Sequence, residues 1–535
     1  MKLAFVIGAG ILCVAGVGAA VFIRAGSVPA VTISTSDYGI TSLKVDNIEF
    51  LQNADFRVDQ VRLRKANGET YDGSTHGSMV FDQADRQLTN TLPWGIVKTR
   101  YAILNNRLTL TITTINRSDS ETIDSLCYIP LTLNFPGALK EYDGSIPLLA
   151  HNVGQVAATR VSYGKGSMVI ASEDIDKPLM VGFPWALNRP TNTQFPLSIH
   201  TGRVPSYPES YPTIHRVILP GGSDQYVVSL RFGQVNTRDE KLVGDLYKKF
   251  AEVLPVRMKW PDHRPIGAIF LATDAQGWAT NPRGWFGDSH LNVLTPAGVA
   301  DFRERLLALA SGAIGIMRDM NAQGVITWDI EGQEFRHATT YIGDPRLVDT
   351  LAPEMAGVVD EYFERFRSAG LRTGISIRPQ SLRVDPEKKN ANQIPLADPT
   401  QLLADKIAYA KKRWGVTLIY IDSNVNATDP NPLDVSVIQK LAGEFPDCLL
   451  IPEHSNLGYY AYSAPYGQLA KGVQSTPDTV RQVYPNAFSV IYTADGLLDV
   501  YRDALSTAVK HGDILMYRTW FPDPQNEKVK ALYAR

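Results

Sequence analysis

Cysteine is scarce, with three in 535 residues, and the two outside the N-terminal apolar run lie 448 − 127 = 321 positions apart. Cys127 and Cys448 both fall in strand-like stretches, which argues against a disulfide framework or a zinc site and predicts two buried thiols. An excess of charge is missing too: 53 Lys and Arg against 55 Asp and Glu leave a formal net charge of −2. No basic stripe runs along the chain, so nucleic acid is not an expected partner. No internal repeat or low-complexity tract occurs. A dinucleotide fingerprint is also lacking. "VIGAGILCVAG" sets Gly8 and Gly10 in a G-x-G-x-x-G frame, but Cys13 takes the third glycine's place. No charge occurs between Leu3 and Ile23, so the segment has no polar face to show solvent.

That segment reads instead as an export signal or signal anchor over residues 1–30: Lys2, an apolar run of 21 residues, then Arg24. The run is long enough for a retained inner-membrane span, while Gly18-Ala19-Ala20 and Val28-Pro29-Ala30 suit cleavage. Both readings put the rest of the chain outside the inner membrane, periplasmic or extracellular, secreted or tethered.

What the chain does contain is enough apolar residue for two cores, at 44% hydrophobic and 20% charged. Residues 31–235 carry a period of two. "RLTLTITTI" (107–115) and "YVVSLRFG" (226–233) alternate apolar and polar residues between turn signals such as Asp143-Gly144 and Gly221-Gly222. This predicts an antiparallel β-sandwich. Residues 236–262 form a helical linker, in which Leu242, Val243, Leu246, Tyr247, Phe250 and Val253 share one face before a proline-bearing connection.

Residues 263–535 then alternate short apolar strands with amphipathic helices. The strands are "IGAIFLAT" (266–273), "GVITWDI" (324–330), "RTGISIRP" (372–379), "VTLIYID" (416–422), "CLLIPEH" (448–454), "AFSVIYT" (487–493) and "DILMYRTW" (513–520). Strands without alternation are buried on both faces, as in a parallel sheet covered by helices. The size suits an α/β (β/α)8 barrel, whose missing strand falls in 461–473. A doubly wound sheet is the rival.

Most of these strands end in a residue capable of chemistry: Asp274, then Asp329 and Glu331, Arg378, Asp422, Glu453-His454, Asp495 and Trp520. In a barrel those C-terminal ends meet at one mouth. Asp422 and Glu453 end successive strands, 453 − 422 = 31 positions apart. Neighbouring strands run about 4.8 Å apart, which brings two end carboxylates toward the roughly 5–5.5 Å of a retaining glycosidase. Asp422 is the expected nucleophile and Glu453 the general acid/base. A lone Asp at such a place is an ordinary helix cap or loop residue; the company of other strand-end carboxylates makes the functional reading the better one. Asp274, Asp329, Glu331, Arg378, His454 and Asp495, with the aromatics Trp278, Trp328, Tyr460 and Trp520, are the expected substrate-binding set, since aromatic faces suit the C–H patches of sugar rings. Glu334 and His337 beside Asp329 and Glu331 match no metal-loop spacing, and neither metal nor cofactor is expected.

With "YID" at Asp422 and "IPEH" at Glu453, the chain resembles bacterial retaining glycoside hydrolases that place a β-sandwich before a barrel. The order of nucleophilic Asp after the fourth strand and acid/base Glu after the fifth is similar to the α-amylase clan and the endo-α-N-acetylgalactosaminidases. Barrel glycosidases of the α-galactosidase type share the sandwich and the fourth-strand Asp. The sequence departs from the amylase pattern at Tyr420, where that pattern has Arg, and at Asp495, which follows Ala494 rather than His and stands after the sixth of the strands counted here. The resemblance implies a glycosidase acting on a glycan. Two other readings stay open: a non-catalytic glycan-binding envelope protein on the same barrel, and a hydrolase built on Asp329 and Glu331. Oligomeric state is not legible.

Overall fold

The computed structural model describes residues 29–534 except 105, 135–144, 153–154, 164–165, 176–179, 183–194, 202–215, 235, 273–276, 333–341, 386–389, 427–430 and 495. Residues 1–28, which hold the expected signal or anchor, lie outside that description, as do Asp274, Glu334, His337 and Asp495. Among the described residues no helix is long and apolar enough to cross a membrane.

Period-two alternation in the first half becomes two antiparallel layers. In the strand Arg107–Asn116, Leu108, Leu110 and Ile112 are fully buried, while Thr109, Thr111 and Thr113 between them are half-buried. The strand pairs with Gly95–Leu104 on one side and Ser223–Gln234 on the other, inside an eight-stranded sheet. A five-stranded sheet supplies the opposing apolar face, and Val61, Leu126, Tyr128 and Ile199 close over Leu110, Val228 and Leu230 in one core. Burial holds the Cys127 thiol up at about 12 and the Cys448 thiol at about 11, and both are unpaired.

Helix α1 (Asp239–Val253) lies against the outer face of the eight-stranded sheet. Leu242, Val243, Leu246, Tyr247 and Phe250 are buried as the spacing predicts, but Val253 is exposed. Ala158, Val169 and Ala171 of the sheet share a core with this helix and with the helical layer of the second half. Arg231 is fully buried there and donates to the Leu242 carbonyl (2.7 Å), Asp245 Oδ1 (2.6 Å) and Glu173 Oε1 (2.8 Å). A buried guanidinium needs such partners to offset its lost hydration.

The second half is a parallel barrel of eight strands: β1 (Ile266–Phe270), β2 (Gly324–Trp328), β3 (Arg372–Ile377), β4 (Leu418–Ile421), β5 (Leu449–Pro452), β6 (Tyr466–Gln468), β7 (Val490–Tyr492) and β8 (Ile514–Arg518). The order β5-β4-β3-β2-β1-β8-β7-β6 sets successive strands side by side and β1 beside β8, with β5 and β6 at its two ends. A doubly wound sheet would reverse direction partway, so that rival is set aside. The weakly patterned strand is β6, inside 461–473 as expected. With it counted, Asp495 follows the seventh strand rather than the sixth. Ile266, Ala268, Ile326, Trp328, Leu418, Tyr420, Leu449, Ile451, Val490 and Met516 fill the barrel, and their strand-mates face the helices.

Candidate active site

Register builds the site. Ile377 pairs with Ile421, and Ile421 with Pro452, so the next residue on each strand forms a row: Arg378, Asp422, Glu453. Backbone bonds carry that row past the strand ends, Asp422 N donating to Ile377 O (2.9 Å) and Glu453 N to Ile421 O (3.0 Å). Leu418 and Tyr420 point into the barrel, as do Leu449 and Ile451, so Asp422 and Glu453 inherit the inward direction. Asp329 does not inherit it, since Ile326 and Trp328 are the inward pair on β2. A left-handed φ of 64° at Asp329 breaks the alternation.

Arg378 Nε donates to Asp422 Oδ2 at 2.5 Å, with both side chains largely buried. Gly343 lets the arginine reach that place: its φ is 62°, and a Cβ there would stand 2.8 Å from Arg378 N and Cγ. Ser423 adds a second link. Its backbone, at φ 50°, aims N–H at Glu453 Oε2 (2.9 Å), and its hydroxyl lies 3.4 Å from Asp422 Oδ2. Asn424, fully buried, then bonds both backbone groups of His454: Nδ2 to the carbonyl (2.9 Å) and Oδ1 from the N–H (2.7 Å). His454 Nε2 stands 3.6 Å from Glu453 Oε2 at the half-open rim.

The electrostatics are crowded. Burial raises the Asp422 carboxyl to about 6; Arg378 opposes the rise, and the adjacent, hydrogen-bonded Glu453 carboxyl adds to it. Asp329 is held well above the usual carboxylate range by burial, then by Glu331 and by Asp422. Glu331 is pushed up to about 8 by burial and by the charge of Asp344, with Lys406 opposing. Burial and mutual repulsion thus favour the protonated form at Asp329 more than at an ordinary carboxyl, while Arg378 favours the ionised form of Asp422.

Below the carboxyls lies an aromatic floor. Phe270 stacks on Trp328 at 4.8 Å, Trp328 meets Tyr420 at 5.0 Å, and Trp520 meets the edge of Phe270 at 5.1 Å. Arg518 covers Trp520 at 5.0 Å from the ring centre. Trp328 and Trp520 thus join the mouth, as the strand-end pattern predicts.

Other expected residues go elsewhere. Tyr460 is buried, and its hydroxyl meets Ser489 just before β7, at the end of the barrel opposite the mouth. After Glu453 the chain descends to start β6, and this carries Tyr459, Tyr460 and Tyr462 into the core. The tyrosine-rich loop is therefore packing, not a sugar platform. Trp285 is fully buried and donates to Glu354 Oε1 (2.7 Å). Trp278 is half-buried in a turn closed by backbone bonds with Asn281, and no described contact brings it to the carboxyl row. Among the described residues no three His, Cys, Asp or Glu side chains group as a metal site. A separate cleft of about 240 Å3 lies on the five-stranded sheet, lined by Asp59, Gln60, Arg62, Asp72 and Ser125, and holds none of the strand-end residues.

Sequence reasoning missed Ser423, Asn424, Gln380 and Lys406. Three of them act through backbone groups, and Lys406 sits on a helix whose charges read as solvated.

No family model and no curated protein matches the chain. Among solved structures, the galactosidase domain of the α-galactosidase-sucrose kinase AgaSK aligns at 11% identity over 88% of this chain and 73% of that one, with a TM-score of 0.44. The α-N-acetylgalactosaminidase NagBb from Bifidobacterium bifidum aligns at 10% identity over 82% and 77%, with a TM-score of 0.44. TtGalA, an α-galactosidase from Thermus thermophilus, aligns at 10% identity over 82% and 99%, with a TM-score of 0.39. The functional reading of this chain rests on its own side chains.

Proposed function

We propose that this protein is a glycoside hydrolase that cleaves a glycan by a retaining mechanism, with Asp422 as nucleophile and Glu453 as general acid/base. One observation carries the reading: Asp422 and Glu453 are register neighbours on adjacent strands, their carboxyls in contact, and a single guanidinium holds one of them. Glycosidic cleavage requires two such carboxyls flanking the scissile bond, one to attack as an anion and one to protonate the leaving oxygen.

Asp422 keeps one oxygen on Arg378 and presents the other to the anomeric carbon. The new carbon–oxygen bond forms as the bond to the leaving oxygen breaks, and the Glu453 proton passes to that oxygen. Glu453, now a carboxylate, takes a proton from water, whose oxygen displaces Asp422 and regenerates both groups. A retaining pair works with the sugar between carboxyls about 5–5.5 Å apart, so substrate must part the two in entering. Asp329 donates to a sugar hydroxyl, and Trp520 and Phe270 offer apolar faces to the ring. We also propose that the protein works in the periplasm or outside the cell, as the N-terminal segment suggests.

The test is hydrolysis of aryl glycosides of both anomeric types by the chain from Val31, beside Asp422→Asn. Release that disappears in the variant supports the assignment. Release that persists unchanged removes Asp422 from the chemistry. Binding without any release, across aryl and polymeric substrates, favours a glycan-binding protein.

A further inference from the structure

We infer that Lys406, on the helix behind the barrel wall, is a positioning residue for the nucleophile, acting through the backbone that carries Arg378. This inference rests on the catalytic reading of Asp422.

Lys406 lies in the helix α2 (Thr400–Trp414), on a stripe with Leu403, Ala404, Ile407 and Ala410 that packs against the barrel. A lysine on that stripe is out of pattern, and its side chain is 0% exposed. An ammonium has three protons to place when water is excluded. Lys406 Nζ donates to Arg378 O at 2.7 Å and to Gln380 O at 3.0 Å, and Asp344 Oδ2 stands 3.6 Å away. The two carbonyls flank Pro379, directly after β3.

The same short loop reaches forward with two side chains. Arg378 Nε holds Asp422 Oδ2, and Gln380 Nε2 donates to Ser423 O at 3.0 Å. Ser423 N–H in turn holds Glu453 Oε2. One buried ammonium therefore grips the backbone of the loop whose side chains hold Asp422 directly and Glu453 by way of Ser423. Asp344 does not compete for it fully, since its two oxygens already accept from Arg346 Nε and Nη2 at 2.8 Å each. Had Lys406 served only to neutralise a buried acid, Asp344 would be its closest partner; both carbonyls are closer.

The charged groups around this device are few among the described residues. Asp422 faces Arg378, Asp329 and Glu453, and Lys406 faces Asp344, Arg346 and Glu331. Removing the ammonium leaves two buried carbonyls without partners, which costs more than the loss of the bonds alone. The loop then shifts to rehydrate them, and Arg378 loses its fixed aim. Arg378 is the group that opposes the upward displacement of Asp422, so Asp422 becomes harder to ionise.

The experiment is a carbon-13 titration of the Asp422 carboxyl in the chain from Val31, assigned with Asp422→Asn, in wild type and Lys406→Met. The expected result is an Asp422 midpoint higher by at least half a pH unit in the variant. The same rise should vanish in an Arg378→Met background, because Lys406 acts through Arg378. An unchanged midpoint in folded Lys406→Met overturns the inference, as does a rise of equal size without Arg378. If Lys406→Met does not fold, Lys406→Gln, whose amide still serves one carbonyl, takes its place under the same criteria. The readout needs no turnover, so an inactive wild type defeats the glycosidase reading while leaving this test able to succeed or fail. With an active enzyme, the acidic limb of kcat/KM should move up in step with the midpoint.

Discussion

The two ends of the barrel treat buried carboxylates in opposite ways. At the N-terminal end Asp513 is fully buried and fully served: it accepts from Thr476 N (3.0 Å) and Oγ1 (2.5 Å), Ser489 N (2.9 Å) and Arg481 Nη2 (2.8 Å). At the C-terminal end Asp329 and Asp422 crowd one guanidinium, that of Arg378, and Glu331 stands beside Asp329 with Asp344 and Lys406 as its other charged neighbours. Glu331 Oε1 is buried with no hydrogen-bond partner, and all three carboxyls are displaced upward. The first arrangement minimises free energy locally. The second does not, and persists because the surrounding packing imposes it. Crowded acids at one end and satisfied acids at the other separate chemistry from architecture within a single fold.

Substitutions at the two ends should therefore have opposite consequences. Asp422→Asn should lower turnover by roughly 10⁴-fold or more while leaving the melting temperature equal or higher, since it removes a crowded charge. Parallel assay and calorimetry check this; a folded variant with intact turnover breaks the comparison. Asp513→Asn should do the reverse, destabilising by about 3–5 kcal/mol because Arg481 keeps a buried charge without its partner, with activity per folded molecule unchanged. Denaturant titration reads the first effect and active-site counting the second.

Glu453→Gln should lower kcat by roughly 10²–10⁴-fold, less for substrates whose leaving group needs no proton. A leaving-group series in which the loss is constant would argue against its role as the acid. Glu331 sharpens the comparison through pH. Its folded pKa, about 8, lies above the ordinary value of 4.5, so the folded state holds the proton more tightly. The stability this contributes is whole below pH about 4.5 and is lost as pH rises through about 8, with a slope of up to about 1.4 kcal/mol per pH unit. Glu331→Gln should flatten that stretch of the stability profile; an unchanged slope between wild type and variant would show that Glu331 is not the source. His454→Ala stands last, at no more than a fewfold in kcat/KM, because an exposed pair is worth roughly 0.2–1 kcal/mol.

Part of this site was legible in the sequence. "LIYID" and "LLIPE" announce strands by continuous apolar residues and then break into a carboxylate, and a barrel makes such breaks converge. Arg378, Trp328 and Trp520 follow from the same rule. The rule fails where direction depends on backbone geometry rather than alternation. Asp329 faces the site only through a left-handed φ, which no period announces. Tyr460 has the look of a mouth residue, yet the chain descends after Glu453 and takes it to the far end. Lys406 shares its helix with Lys411, Lys412 and Arg413 on the water side, and nothing in its neighbours separates the buried cation from the solvated ones. Asn424 resembles any turn asparagine until its two bonds to His454 are measured.

Those two bonds have a mechanical meaning. β5 and β6 stand at opposite ends of the strand order, and among the described residues no ladder joins them, although Ala464 N, just before β6, donates to Leu450 O (3.0 Å). The barrel thus has a seam, and Glu453 rides on its lip while Asp422 sits one strand inside. Breathing at a seam would change the gap between the Asp422 and Glu453 carboxyls, the distance on which the proposed mechanism turns. The Asn424 side chain rivets the lip to the loop of the inner strand. It ties the gap between the two carboxyls to the backbone that follows β4.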